Sequence, residues 1–128
     1  MADIRSAKEM VTQANAAVEA VPAPQAVALA NDPDVVFVDV RDASEREKTG
    51  TARGAVHAPR AFLEFLADPA SERHLPRLSP DKRLVLFCAS GGRSALAGKT
   101  LKDMGYERVA HIPGGFPAWK EAGGPTEG

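Results

Sequence analysis

Two short runs decide what this chain can fold into. Val35-Val36-Phe37-Val38 and Leu84-Val85-Leu86-Phe87 are apolar at every position, without the alternation of a strand that keeps one face in water. Runs of this kind are strands covered on both faces, and a parallel sheet between two layers of helices supplies that cover. The segments after them agree. Asp42 and Ser44 are each followed three residues later by a glutamate, a capping-box start for a short helix that Gly50 ends. After Phe87, residues Leu96, Thr100, Leu101 and Met104 line one face of a helix, with Lys99, Lys102 and Asp103 opposite and Gly105 placed to cap it.

The same reading extends over the chain. Strands are predicted near 35–39, 55–57, 84–87 and 109–112, with an edge strand near 18–21 stopped by Pro22 and Pro24. Ala26–Ala30 reads helical, Phe62, Leu63, Phe65 and Leu66 load a helix that Asp68-Pro69 ends, and Phe116–Ala122 is a last helix carrying Trp119. Pro76 and Pro80 mark residues 70–83 as an irregular connection. The expected fold class is α/β, a three-layer α/β/α arrangement around a five-stranded, mainly parallel sheet. Ile4, Ala7, Val11, Ala14 and Val18 give the first 18 residues a shallow apolar helical stripe, which packs on the domain's own surface or forms a dimer contact. The expected division is a helical extension over 1–17, the domain over 18–124 and a tail over 125–128.

Charge and length narrow the function. With 16 basic and 17 acidic side chains the net charge is -1, so the basic excess of a nucleic-acid binder is missing. The longest hydrophobic stretch is the six residues from Leu84 to Ala89, against roughly 20 for a membrane span. The chain opens Met1-Ala2-Asp3 and mixes acids with bases in its first residues, without the apolar core of a secretory signal. A cytoplasmic location without membrane association is therefore expected. Cys88 is the single cysteine, which rules out an internal disulfide and leaves one sulfur to carry any thiol chemistry.

Cys88 closes the second apolar strand and is followed by Ala89-Ser90-Gly91-Gly92-Arg93-Ser94 and a helix. Ligands of open α/β sheets bind at such carboxyl ends. The two glycines allow the chain to curl so that successive N–H groups point inward, and the helix start adds more donors and a positive dipole end. A thiolate at the centre of that nest has a lowered pKa and reacts near neutral pH. Arg93 adds a fork of donors toward a ligand or holds the loop in shape. A buried cysteine packed as a small hydrophobe would leave the paired glycines, the arginine and the hydroxyl unexplained. His57, His74 and His111 share no metal-ligand spacing with one another or with Cys88, and each reads as structural, with a Cys–His dyad left geometrically open for His57 or His111. No metal and no cofactor are expected.

Asp39-Val40-Arg41, Gly54-Ala55-Val56-His57-Ala58-Pro59, the loop from Cys88 to Ser94, and Gly114-Gly115-Phe116 with Trp119 and Gly123 together resemble the ordered landmarks of the rhodanese domain. The resemblance spans about residues 18–124. It implies a single-domain sulfurtransferase whose active cysteine lies in the turn after the fourth of five parallel strands. Cys88 would carry the transferred sulfur, and Ala89, Ser90, Gly91, Gly92, Arg93 and Ser94 would bind substrate. The implied partners are a small sulfur donor such as thiosulfate or a persulfide and a thiol, cyanide or protein acceptor. Relatives specialised for thiosulfate place basic residues after the cysteine, where this chain has Ala89 and Ser90; Arg41 and Arg60, after predicted strand ends, are candidates for the missing charge. Thr51-Ala52-Arg53 also departs from the His-Ile pair of many relatives.

Two rival functions arise from the same loop. A persulfide carrier or interaction module would hold sulfur on Cys88 for a protein partner. A cysteine phosphatase or arsenate reductase also nests an anion over a thiolate, but four residues separate Cys88 from Arg93, one fewer than in the phosphatases. A shorter nest offers fewer inward donors and suits a single extra sulfur better than a tetrahedral phosphate.

Overall fold

A computed structural model describes residues 3–128, so the first two residues of the expected N-terminal helical segment lie outside the described residues. The main sheet is made by β1 (Glu19–Ala20), β2 (Val35–Asp39), β4 (Val56–His57), β5 (Arg83–Phe87) and β6 (Val109–His111). They run in the order β1-β6-β5-β2-β4, and each neighbouring pair is parallel. Side chains alternate across it, as the pleat requires. Val36, Val38, Leu84, Leu86 and Val109 face one layer, where they meet Leu63 and Ala67 of α4 (Leu63–Ala67) and Ala97 and Leu101 of α5 (Gly92–Met104). Phe37, Val85, Phe87 and Ala110 face the other, against Ala23 and Ala26 of α2 (Ala23–Ala28) and Phe116 and Trp119 of α6 (Gly115–Glu121). Each fully buried leucine or phenylalanine contributes roughly 2 kcal/mol. The two apolar runs are therefore central because both of their faces are used.

Helix α1 (Ala7–Ala17) starts at Ser6, whose Oγ accepts the Glu9 N–H at 3.0 Å. It lies along α5 on the outside of the first layer, with Ala14 buried and Val18, its C-cap, buried beside Gly98. A Cβ at Gly98 would stand 2.8 Å from Val18 Cγ1. This close approach explains a glycine inside a helix, where it costs about 1 kcal/mol relative to alanine.

Several boundaries differ from those the sequence predicts. The edge strand is only two residues long, because Val18 caps α1 and Pro22 has no N–H for the ladder. The prolines that read as a stop instead begin α2, with Pro24 in its first turn, where a missing N–H costs nothing. Of the two possible capping boxes, Asp42 is used for α3 (Ala43–Thr49), its N–H donating to Glu45 Oε1 at 3.1 Å. The expected tail is a strand: β7 (Thr126–Glu127) pairs antiparallel with β3 (Thr51–Ala52) in a second, two-stranded sheet. Gly50 makes room for it, since a Cβ there would lie 2.6 Å from the Glu127 carbonyl oxygen.

Candidate active site

The turn between β5 and α5 wraps around the Cys88 sulfur. Gly91, the N-cap of α5, takes a left-handed conformation with φ 112°, which costs a glycine little and other residues a good deal. That conformation turns its N–H toward Cys88 Sγ at 3.0 Å. The Ser94 N–H donates to the same sulfur at 3.4 Å, and Ser94 Oγ stands 3.6 Å away. The helix starts at Gly92, and the N–H groups of its cap Gly91 and of Ser94 in its first turn end on the sulfur instead of in solvent. Burial pushes the Cys88 thiol up, but the Ser94 hydroxyl and the N–H groups of Ser94, Ser90 and Gly91 outweigh it and hold the thiol below its ordinary value. Cys88 is itself buried, while Ser90 at the outer rim of the loop is exposed and Ala89 half-buried.

A second glycine pair supports the loop from behind. Gly114 and Gly115 have φ of 82° and 64°, and a Cβ on Gly115 would fall 2.2 Å from the Cys88 carbonyl oxygen. Only a glycine lets the start of α6 come this close. The Phe116 N–H then donates to that carbonyl at 2.8 Å, fixing the backbone on which the sulfur is mounted.

Arg93 spends its hydrogen bonds away from the sulfur. Its Nη1 and Nη2 donate to Glu45 Oε1 and Oε2 at 2.7 and 2.9 Å. The guanidinium holds the Glu45 carboxyl down to about 2, so the carboxylate is charged throughout the neutral range. Glu45 thereby joins the N-terminus of α3 to the rim of the cysteine loop. The only trace of this in the sequence is the capping-box spacing from Asp42.

The two further arginines named as candidates have other work. Arg41 is buried and points its Nε and Nη2 at the carboxylate of buried Asp39 (3.0 and 2.9 Å). It also donates to Thr49 Oγ1 and the Gly50 carbonyl and lies over the Phe116 ring, 4.6 Å from its centroid. Every one of these contacts is internal, so the fork that could bind an anion is already filled. Arg60 donates to Glu64 and Thr100 on the α4–α5 side. The structure therefore brings together Cys88, Gly91, Arg93 and Ser94, and leaves Arg41 and Arg60 outside that group. His57 and His74 bond the carbonyls of Arg41 and Leu78, satisfied locally as expected. His111 is different, because its Nδ1 lies 3.0 Å from Ser94 Oγ. One polar residue in an otherwise apolar strand was its signal. Among the described residues no three His, Cys, Asp or Glu side chains are grouped to hold a metal, and no helix is long and apolar enough to cross a membrane.

A family model for the rhodanese-like domain matches residues 22–122. The tRNA uridine(34) hydroxylase of Teredinibacter turnerae is 35% identical over 94 residues, which are 73% of this chain but 28% of that protein, so the chain spans less than a third of that relative. A solved structure from Rhodopseudomonas palustris, of a protein of unknown function described as a possible tyrosine phosphatase, is 45% identical. It superposes with a TM-score of 0.92 and covers 99% of this chain and 98% of that one. The polysulfide-sulfur transferase homodimer of Wolinella succinogenes is 33% identical with a TM-score of 0.74, covering 94% of this chain and 85% of that one.

Proposed function

The chain belongs to the rhodanese-like domain family, and we propose that it is a sulfurtransferase that carries a sulfane sulfur on Cys88. The observation that carries this reading is the cradle around the sulfur, two N–H donors at 3.0 and 3.4 Å with a hydroxyl beside them. Donors aimed at one sulfur stabilise a thiolate before transfer and the negative outer sulfur of a persulfide after it. The Cys88 thiolate attacks the sulfane sulfur of thiosulfate or of a persulfide. The donor's S–S bond breaks, and its electron pair leaves on sulfite or on a thiolate. An acceptor thiolate or cyanide then attacks the outer sulfur, and the Cys88 thiolate departs as it arrived. The Wolinella relative supports a donor of the polysulfide class, and the neutral Ala89 and Ser90 at the rim favour it over the dianion thiosulfate. The acceptor is a small thiol, or a protein thiol if the chain works as a carrier. The test is intact mass after incubation with each donor: Cys88 gains one sulfur atom, which a thiol reductant removes. No gain with any sulfane donor would overturn the reading.

The Rhodopseudomonas relative, described as a possible tyrosine phosphatase, supports phosphate-ester hydrolysis as the second reading. Against it stand the four-residue spacing from Cys88 to Arg93 and the use of both terminal nitrogens of Arg93 by Glu45. A phosphate would have to displace that carboxylate to reach the arginine.

A further inference from the structure

A chain of hydrogen bonds leads from Cys88 away from the loop mouth. Sγ is 3.6 Å from Ser94 Oγ, Ser94 Oγ is 3.0 Å from His111 Nδ1, and His111 Nε2 is 3.0 Å from Asn15 Oδ1. Cys88 and Ser94 are fully buried and His111 is 2% exposed, whereas Asn15 is exposed on α1. The order of donors comes from chemistry. An amide oxygen only accepts, so Asn15 fixes the imidazole proton on Nε2 and leaves Nδ1 a bare acceptor. Ser94 Oγ also lies 3.1 Å from the Gly91 carbonyl oxygen.

We propose that Ser94, His111 and Asn15 form a proton relay in which His111 is the base for Cys88, acting through the Ser94 hydroxyl. In the relay the Ser94 hydroxyl proton turns from the Gly91 carbonyl to Nδ1 while its oxygen faces the thiol. The Cys88 S–H bond breaks and its proton passes to Ser94 Oγ. The proton Ser94 already held passes to His111 Nδ1. The products are a thiolate that accepts a hydrogen bond from Ser94 and an imidazolium that donates one to Ser94. No atom or electron is gained or lost. Asn15 Oδ1 accepts from Nε2 in both states, and its bond strengthens once the ring is charged. Burial lowers the proton affinity of His111, which favours the neutral ring as the resting acceptor.

Other charges near this line are engaged elsewhere. Arg93 of α5 is bound to Glu45, Glu19 of β1 is paired with Arg83 of β5, and Lys8 and Glu9 of α1 are exposed. Cys88 is thus the titratable group joined to His111 by hydrogen bonds among the described residues. Asn15 lies outside the residues 22–122 that match the family, so the N-terminal helix completes the site instead of merely covering α5.

The relay rests on the sulfur-transfer reading only in taking Cys88 as the reacting group, and its test uses two independent readouts on the full chain. One is the ultraviolet absorbance of the thiolate against pH; the other is the single-turnover rate of sulfur gain by mass from inorganic polysulfide. His111→Gln, which can hydrogen bond but not hold the proton, is expected to move the thiolate midpoint up by about one pH unit and, through the smaller thiolate fraction, slow sulfur gain by up to about 10-fold at neutral pH. The loss should vanish in alkali, where the thiolate forms without a base; a defect that is merely structural would persist there. Asn15→Asp and Asn15→Leu change an exposed position and keep the test open if His111→Gln fails to fold. Aspartate is expected to lower the midpoint and leucine to raise it. His111→Gln titrating with the wild-type midpoint, or both Asn15 variants coinciding with wild type, overturns the relay. A wild-type protein that titrates as expected but gains no sulfur overturns the transfer reading and leaves the relay standing.

Discussion

Glu45 and Arg93, 48 residues apart in sequence, face each other as a two-pronged ion pair with nitrogen–oxygen distances of 2.7 and 2.9 Å. The pair ties a helix that follows β2 to the loop that follows β5, two neighbouring interior strands of the sheet. Its carboxylate also accepts the Asp42 N–H, so one side chain caps a helix and fastens the loop. Both partners are about a third exposed, and at that exposure the ion pair itself stabilises the fold little. Its effect is on the conformation of the loop.

Glu45→Gln keeps a capping acceptor and loses the charge, whereas Glu45→Ala loses both. Alanine is expected to cost about 1 kcal/mol through the cap, and glutamine less; urea unfolding measures both. Sulfur gain should fall in both variants because Arg93 is released. The pH dependence has a definite sign. The folded carboxyl sits at about 2 against an ordinary 4.5, so the stability it contributes is complete above about 4.5 and is lost as pH falls toward 2. Unfolding midpoints for wild type and Glu45→Gln should therefore converge over that window.

Gly115→Ala is expected to be among the most damaging single substitutions, since its Cβ would lie 2.2 Å from the Cys88 carbonyl oxygen and 2.8 Å from the Ala89 carbonyl carbon. Backbone on both sides must shift, at about 3 kcal/mol. Gly91→Val would set a Cβ in contact with Gly114 N at 3.5 Å and Pro113 Cα at 3.8 Å and at a φ of 112°, and strain of about 1–3 kcal/mol should turn its N–H off the sulfur. Gly54→Ala, left-handed with nothing within 4 Å, is the control: about 1 kcal/mol with sulfur transfer per folded molecule unchanged. Equal losses of transfer in all three would deny the loop its role.

Arg41→Lys separates a buried strut from a substrate ligand. Lysine keeps the charge but cannot satisfy Asp39, Thr49 and Gly50 together, and buried Asp39 would lose half of its paired bonds. A stability loss of about 2–3 kcal/mol is expected, read by thermal unfolding, with the Michaelis constant for the sulfur donor unchanged. A raised constant at normal stability would return Arg41 to the binding site.

Cys88→Ser should abolish sulfur gain, reducing transfer to the level without protein, since an alcohol is a far weaker nucleophile at neutral pH. In wild type the lowered thiol should keep alkylation by a small iodoacetamide fast below the pH at which a free cysteine slows. An aryl phosphate and a sulfane donor on one preparation, with Cys88→Ser as blank, separate the two readings of the site. Sulfur gain with little phosphate release is expected. Inserting one residue between Gly91 and Gly92 should widen the nest and reduce sulfur transfer.

The architecture was legible in the sequence because it depends on local pattern. Continuous apolar runs mark β2 and β5, spaced leucines mark α5, and glycines mark the turns at Gly91 and Gly105, since each signal lies within a few neighbouring residues. Elements that owe their form to distant partners were not legible in this way. Thr51-Ala52 and Thr126-Glu127 carry no apolar pattern, and they become strands because Gly50 and the turn after Gly123 bring two polar edges together. The site divides along the same line. A nest of N–H groups after Cys88 could be read from consecutive residues, because backbone conformation is set by the residues that adopt it. The assignments of Arg93 to Glu45, of Arg41 to Thr49 and Gly50, of Ser94 to His111 and of His111 to Asn15 belong to the tertiary structure alone. A long polar side chain can satisfy its hydrogen bonds with any partner in reach, and only the packing of α1, α3 and α5 on the sheet decides which partner that is.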